Sequence, residues 1–156
     1  MEMVSKKTSV TETAARMAKP LLQGVEWLSP LLDLFIRLYV ASVFWKSGLT
    51  KIASWEQTLA LFENEYNVPF LPPELAAVFG TATELFFPVL LVLGLGTRGA
   101  ALVLFVFNIV AVVSYPDLSE AGLSQHLHWG ILLLVPLFHG PGRISVDYYL
   151  RRRFLG

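Results

Sequence analysis

Beyond its first quarter, the chain alternates long apolar runs with short polar ones. Four runs approach the roughly 20 apolar residues that a helix needs to cross the hydrocarbon core. They cover about residues 28–49, 74–95 ("ELAAVFGTATELFFPVLLVLGL"), 97–115 ("TRGAALVLFVFNIVAVVSY") and 123–138 ("LSQHLHWGILLLVPLF"), the last being shorter with a polar start. The second and third lack the polar stripe that a soluble amphipathic helix turns to water. Lipid offers the backbone no hydrogen bonds, so runs of this kind cross as helices. The pattern predicts an all-α protein: an antiparallel four-helix transmembrane bundle with short amphipathic surface helices.

The connections fit. "GLGTRG" makes a tight turn between runs two and three, and Pro116 in "YPDLSEAG" stops run three before a short link to run four. The longer link "ASWEQTLALFENEYNVPFLPP" carries Trp55, Leu59 and Phe62 near helical spacing, which predicts a short helix on the membrane surface before Pro69, Pro72 and Pro73 break the chain. The opening "MEMVSKKTSVTETAARMAKP" is polar and has no long apolar core, so it does not read as a cleavable signal peptide. The expected organisation is a polar segment over 1–27, partly flexible or amphipathic, a membrane domain over 28–140 and a basic tail over 141–156.

Composition strengthens the membrane reading. Hydrophobic residues make up 54% and charged ones 15%, with mean hydropathy +0.58, whereas an ordinary globular chain is about 25% charged. The absence of cysteine excludes disulfides, thiol redox chemistry and thiolate metal sites within this chain. No basic stripe with interleaved aromatics points to nucleic acid. Net charge is zero, but the charges are segregated. Lys6, Lys7, Arg16 and Lys19 precede run one, Arg98 lies in the turn between runs two and three, and Arg143, Arg151, Arg152 and Arg153 follow run four. Lys51 lies on the other side, with Glu56, Glu63, Glu65, Asp117 and Glu120. Positive charge favours the cytoplasm, so both termini are expected there.

Arg37, Lys46 and Glu84 fall within apolar runs, where a charge near the bilayer centre costs about 2.5–3.5 kcal/mol and turns inward to a partner. At about 1.5 Å per residue from the outer boundary, Glu84 lies about 15 Å deep, Arg37 about 20 Å and Lys46 about 6 Å. Glu84 thus sits between two candidate partners, and Arg37 offers the bidentate geometry. Asn108 and His128 belong to the outer half of the same bundle, so Arg37, Lys46, Glu84, Asn108 and His128 are candidates for a ligand-binding or proton-relay pocket. Each also has a plain structural reading. Lys46 can snorkel to the surface, Asn108 with Thr81 and Thr83 can join helices at about 0.6 kcal/mol each, and an Arg37–Glu84 pair can be a clamp. His126 and His128 point about 200° apart on a helix and His139 lies at the opposite face, so no metal site is expected. No nucleophile elbow, phosphate loop or H-E-x-x-H pattern is present, and no catalytic residue is named.

"RLYVASVFWKSGLTKI", "GTATELFFPVLLVLGLGTRGAAL" and the ending "HGPGRISVDYYL" together resemble the DoxX family of small membrane proteins. The matching positions are Arg37, Gly48, Lys51, Glu84, Gly140, Gly142, Arg143, Ser145 and Asp147, whereas "QHLHW" departs from the pattern. The resemblance implies a four-span bundle in the bacterial cytoplasmic (inner) membrane and a link to redox systems. Some relatives look like membrane subunits of a thiosulfate:quinone oxidoreductase, and others associate with superoxide- or thiol-handling enzymes. Ser145 or Asp147 is expected to cap a short helix that lays Arg151–Arg153 against anionic lipid. The expected function is an accessory subunit of a redox or stress-related system, rather than an enzyme on its own, whose pocket holds a quinone or relays protons. The alternative is a non-enzymatic scaffold or small-solute carrier. Expected partners are the lipid bilayer and a second protein or a further copy of the chain.

Overall fold

A computed structural model describes residues 2–154; for residues 2–11, 13, 14 and 21 it describes the backbone alone, which leaves the side chains of Lys6 and Lys7 outside the described residues. Met1, Leu155 and Gly156, at the ends of the expected polar segment and basic tail, also lie outside the described residues. Six helices follow in order: α1 (Glu2–Ala53), α2 (Trp55–Asn64), α3 (Pro73–Leu93), α4 (Thr97–Ser114), α5 (Glu120–Leu134) and α6 (Val146–Phe154). A π-helical turn, Val135–His139, extends α5 around Pro136. Among the described residues, four segments are long and apolar enough to cross a membrane: Ala15–Ala53, Pro73–Leu93, Thr97–Ser114 and Glu120–His139.

Local chemistry sets the boundaries. Pro73 opens α3 at a position where its missing N–H costs nothing. Gly94 closes α3 in the left-handed region at φ 68°, a conformation that favours glycine. Ser119 caps α5 by accepting the Gly122 N–H at 3.1 Å. Helix α4 ends at Ser114, one residue short of the Tyr115-Pro116 step.

The bundle is antiparallel. Helix α1 packs on α3, α3 on α4 and α4 on α5, and α5 returns to α1. Its centre holds Val40, Phe44, Leu91, Leu104 and Leu133 with the small Ala41 and Ala101. Lipid tails are as apolar as these side chains, so close packing and interhelical hydrogen bonds hold the helices together. The first half of α1 and helix α6 lie toward one end of the bundle, here the terminal end; α2 lies at the far end.

Two features differ from expectation. The apolar edge of α2 faces the protein: Phe62 is buried against Ala76 and Ala77, with Leu59 beside it. The α2–α3 link also ties onto α4, where Asn67 N–H donates to Ser114 O at 2.7 Å. Secondly, α1 and α3 do not start level. Gly48 lies against Glu84 and Leu85, so the antiparallel register carries α3 about 10 Å past the end of α1. Helix α2 packs against that overhang.

Candidate functional site

The offset decides which charges meet. Lys51, near the end of α1, reaches Glu84 on α3, with Nζ 2.9 Å from Oε1 and 2.7 Å from Oε2. Ser47, one turn earlier on α1, donates to Glu84 Oε1 at 3.0 Å and accepts from Lys51 at 2.9 Å. The ammonium therefore has three partners for its three donors. Gly48 makes the approach possible, because a Cβ there would lie 2.8 Å from Leu85 Cδ2 and 3.1 Å from Glu84 Cβ.

Neither basic residue expected to pair with Glu84 does so. Lys46 is exposed. Nine residues after Arg37, it lies two and a half turns on and faces the other side of α1. Arg37 faces inward but lies fourteen residues from Lys51, about 21 Å along the axis. Because α3 overhangs α1, depths counted from the two helix ends do not share one origin.

The ion pair faces a cavity of about 240 Å³ among α1, the α2–α3 segment, α3, α4 and α5. Phe62, Phe79, Phe107, Tyr66, Tyr115 and His126 supply its aromatic surface. Tyr66 stands edge-on to both Phe62 and Tyr115, with ring centroids 4.9 and 5.2 Å away. Burial, reinforced by Tyr115 and the charges of Glu65 and Glu84, raises the Tyr66 hydroxyl above its ordinary pKa, so it remains a neutral donor. Ser114 also lines the cavity, and its buried hydroxyl makes no hydrogen bond to the protein.

His126, not His128, joins this site. Asn108 Nδ2 donates to His126 O at 2.9 Å, and Asn108 Oδ1 lies 2.8 Å from His126 Nδ1. The pair fits because Gly130, one turn along α5, leaves room for the amide; a Cβ there would lie 3.3 Å from Asn108 Nδ2. The inward stripe of α5 runs through Gly130 and Leu133, both buried, and His126 continues it at helical spacing. His128 is two residues off the stripe, exposed, and bonded to its own helix at Ser124 O, 2.6 Å away. Trp129 packs edge-on against the His126 ring. The described residues contain no cluster of three or more histidine and acidic side chains able to hold a metal.

Arg37 and the chain's ending form a second constellation at the terminal end. Arg37 is buried and donates to three carbonyls: Leu91 O at 3.2 Å and Val92 O at 3.4 Å, on the last turn of α3, and Ile144 O. Its nearby acids are Asp33 and Asp147. Asp147 does not cap its own helix. It accepts the N–H groups of Gly96 and Thr97, each at 2.8 Å, and so caps α4. Ser145 caps α6 by accepting the Tyr148 N–H at 3.2 Å. Gly140 and Gly142 adopt φ 101° and 72°, and Gly142 lies so close to Asp33 that a Cβ would sit 2.8 Å from the Asp33 Cβ. Asp33 pairs with His139 at 3.1 Å. Arg143 is exposed and, with Arg151 and Arg152, lines an open groove beside Asp33.

Of the expected pocket, the structure brings Glu84 to the cavity wall and sets Asn108 behind it, bonded to His126, and leaves Arg37, Lys46 and His128 outside. Lys51, Ser47, Tyr66, Ser114, Tyr115 and His126 complete it. Helical spacing signals three of these. Asp33, Arg37, Val40, Phe44, Ser47 and Lys51 form one stripe at intervals of three or four, and His126 precedes Gly130 and Leu133 by four and seven.

A Haemophilus influenzae protein described as uncharacterized is 28% identical over 128 residues, covering 76% of this chain and 83% of its own length. No solved structure matches. The family model named DoxX matches residues 32–116, more than half of the chain; the chain belongs to the DoxX family of membrane proteins.

Proposed function

We propose that this protein is an accessory subunit of a redox or stress-related system in the bacterial inner membrane, with both termini cytoplasmic, and that its cavity holds the head group of a quinone. One observation carries the reading: the charges facing the cavity cancel each other. Lys51 and Glu84 satisfy one another with the help of Ser47. What remains for a ligand is neutral: the hydroxyls of Tyr66, Tyr115 and Ser114, the imidazole of His126 and the aromatic faces. Such a lining suits an uncharged, flat, apolar ring with polar edges. A volume of about 240 Å³ is below the roughly 300–1,000 Å³ of drug-sized ligand sites, which suits a ring whose tail lies in lipid.

The test is titration of the purified protein in lipid nanodiscs with a decyl-substituted benzoquinone, read by tyrosine and tryptophan fluorescence. Saturable quenching that Ser114→Phe abolishes is expected, because the larger side chain fills the cavity. Equal quenching in the parent and the variant would move the ligand elsewhere.

A scaffold reading draws on a different observation. On the part of α1 before the bundle, Met17, Leu22, Val25 and Trp27 are exposed, Trp27 by 84%. A partner docked there would be captured equally by the parent protein and by Ser114→Phe, and would be lost on replacing Leu22, Val25 and Trp27 with serine.

A further inference from the structure

We propose, on the reading just given, that the cavity selects the hydroxyl-bearing form of its ligand through His126 Nε2, and that Asn108 is the positioning residue that makes that nitrogen an acceptor. The Asn108 side-chain amide is fixed in orientation at both ends. Asn108 Nδ2 donates to the His126 carbonyl at 2.9 Å. Its oxygen must then face the ring, where it lies 2.8 Å from Nδ1. An amide oxygen only accepts, so Nδ1 carries the proton. In the neutral imidazole the other nitrogen, Nε2, is left with a lone pair. Nε2 makes no hydrogen bond among the described residues, and the ring lines the cavity.

That lone pair gives the wall a polarity. A ligand carbonyl placed against Nε2 would set two acceptors face to face. A ligand hydroxyl would donate to it. Ser114, 3% exposed, lies on the same lining, and its hydroxyl has no partner among the described residues. That hydroxyl and those of Tyr66 and Tyr115 can each accept or donate and so discriminate less. Lys51, which would otherwise attract a carbonyl, has its three donors occupied. The site therefore favours a quinol, or another uncharged ring bearing a hydroxyl, over the corresponding quinone.

The experiment uses the full chain in nanodiscs under anaerobic conditions, with three probes sharing one ring: a decyl-substituted benzoquinol, its quinone and its di-O-methyl ether. The quinol is expected to bind about five- to tenfold more tightly than the ether, the worth of one good hydrogen bond, and more tightly than the quinone. His126→Phe, which keeps a ring in place, should erase the difference between quinol and ether. Asn108→Leu, which keeps the imidazole but frees its tautomer, should reduce it. Nitrogen-15 NMR of the histidine rings in the unliganded parent gives a separate readout: His126 should show Nδ1–H and an unprotonated Nε2. Quinone binding as tight as quinol, or a preference that survives His126→Phe, overturns the inference while leaving a quinone pocket intact. If none of the probes binds, the pocket reading falls, and selection falls with it. A His126 spectrum showing Nε2–H overturns the assignment of Asn108 even if the pocket stands.

Discussion

Lys51 Nζ lies 2.7 Å from Glu84 Oε2, and the two side chains are only 16% and 6% exposed. Desolvation offsets much of the attraction in such a pair, yet removing one partner strands the other. The carboxylate is the more buried member, so the two single losses should differ. Lys51→Met, which strips Glu84 of its counter-charge and leaves it only the Ser47 hydroxyl, is expected to cost about 3–5 kcal/mol of stability. Glu84→Gln should cost less, because Lys51 lies nearer water. The double variant should recover part of the Lys51→Met loss. Denaturant unfolding in detergent micelles measures all three, and equal single-variant losses would contradict this account of the pair.

Arg37 does different work. Its donors meet two carbonyls at the end of α3: Val92 O, and Leu91 O, which also accepts the Gly94 N–H at 3.2 Å. Lysine has a single nitrogen and cannot reproduce the planar fork. Arg37→Lys is therefore expected to destabilise by at least about 1–3 kcal/mol, the cost of one buried group left unpaired. Arg37 lies at the opposite end of the bundle from the cavity. In folded Arg37→Lys protein, affinity for the benzoquinone probe should match the parent, and a specific loss of affinity would tie the clamp to the site.

The sequence carried the bundle because lipid imposes its demands residue by residue: length, apolarity and a breaker at each end are all local. It also marks Glu84 as the acidic partner and Asn108 as a polar group of the same half of the bundle. Relative height is less legible. Counting from helix ends pairs Glu84 with Arg37 or Lys46, whereas α3 overhangs α1 and puts Glu84 beside Lys51. Rotation around each helix was more legible than depth. The stripe from Asp33 to Lys51 excludes Lys46 on phase alone, and the phase of His126 with Gly130 favours it over His128. The capping of α4 by Asp147 was not legible, because the two are brought together only by the fold of the chain's ending.

Gly48 is the contact through which α1 and α3 come close beside the ion pair. Leu85 and Glu84 would meet a side chain there at Cγ and Cβ, near their backbones, so neither can rotate out of the way cheaply. Gly48→Val is expected to cost about 1–3 kcal/mol by overpacking. It should also separate Lys51 from Glu84, so that Lys51→Met costs less in the Gly48→Val background than in the parent. Full additivity of the two changes would show that the close approach does not hold the pair together.

Asp147 joins α6 to the start of α4, a helix about fifty residues earlier in the chain. Its two oxygens accept the Gly96 and Thr97 N–H groups at 2.8 Å each. These are among the donors that a helix N-terminus leaves free, and the carboxylate also complements the positive end of the helix dipole. Its own N–H donates to Gly94 O at 2.9 Å, which closes a loop around the turn. Losing the carboxylate should therefore weaken two elements at once. Asp147→Ala is expected to destabilise by about 1–2 kcal/mol. It should also release α6, seen as faster amide exchange over Val146–Phe154 and at Gly96 and Thr97. Asp147→Asn, which keeps one acceptor oxygen, should fall between the two. Protection unchanged at Gly96 and Thr97 in the alanine variant would mean that α4 is capped by something other than Asp147.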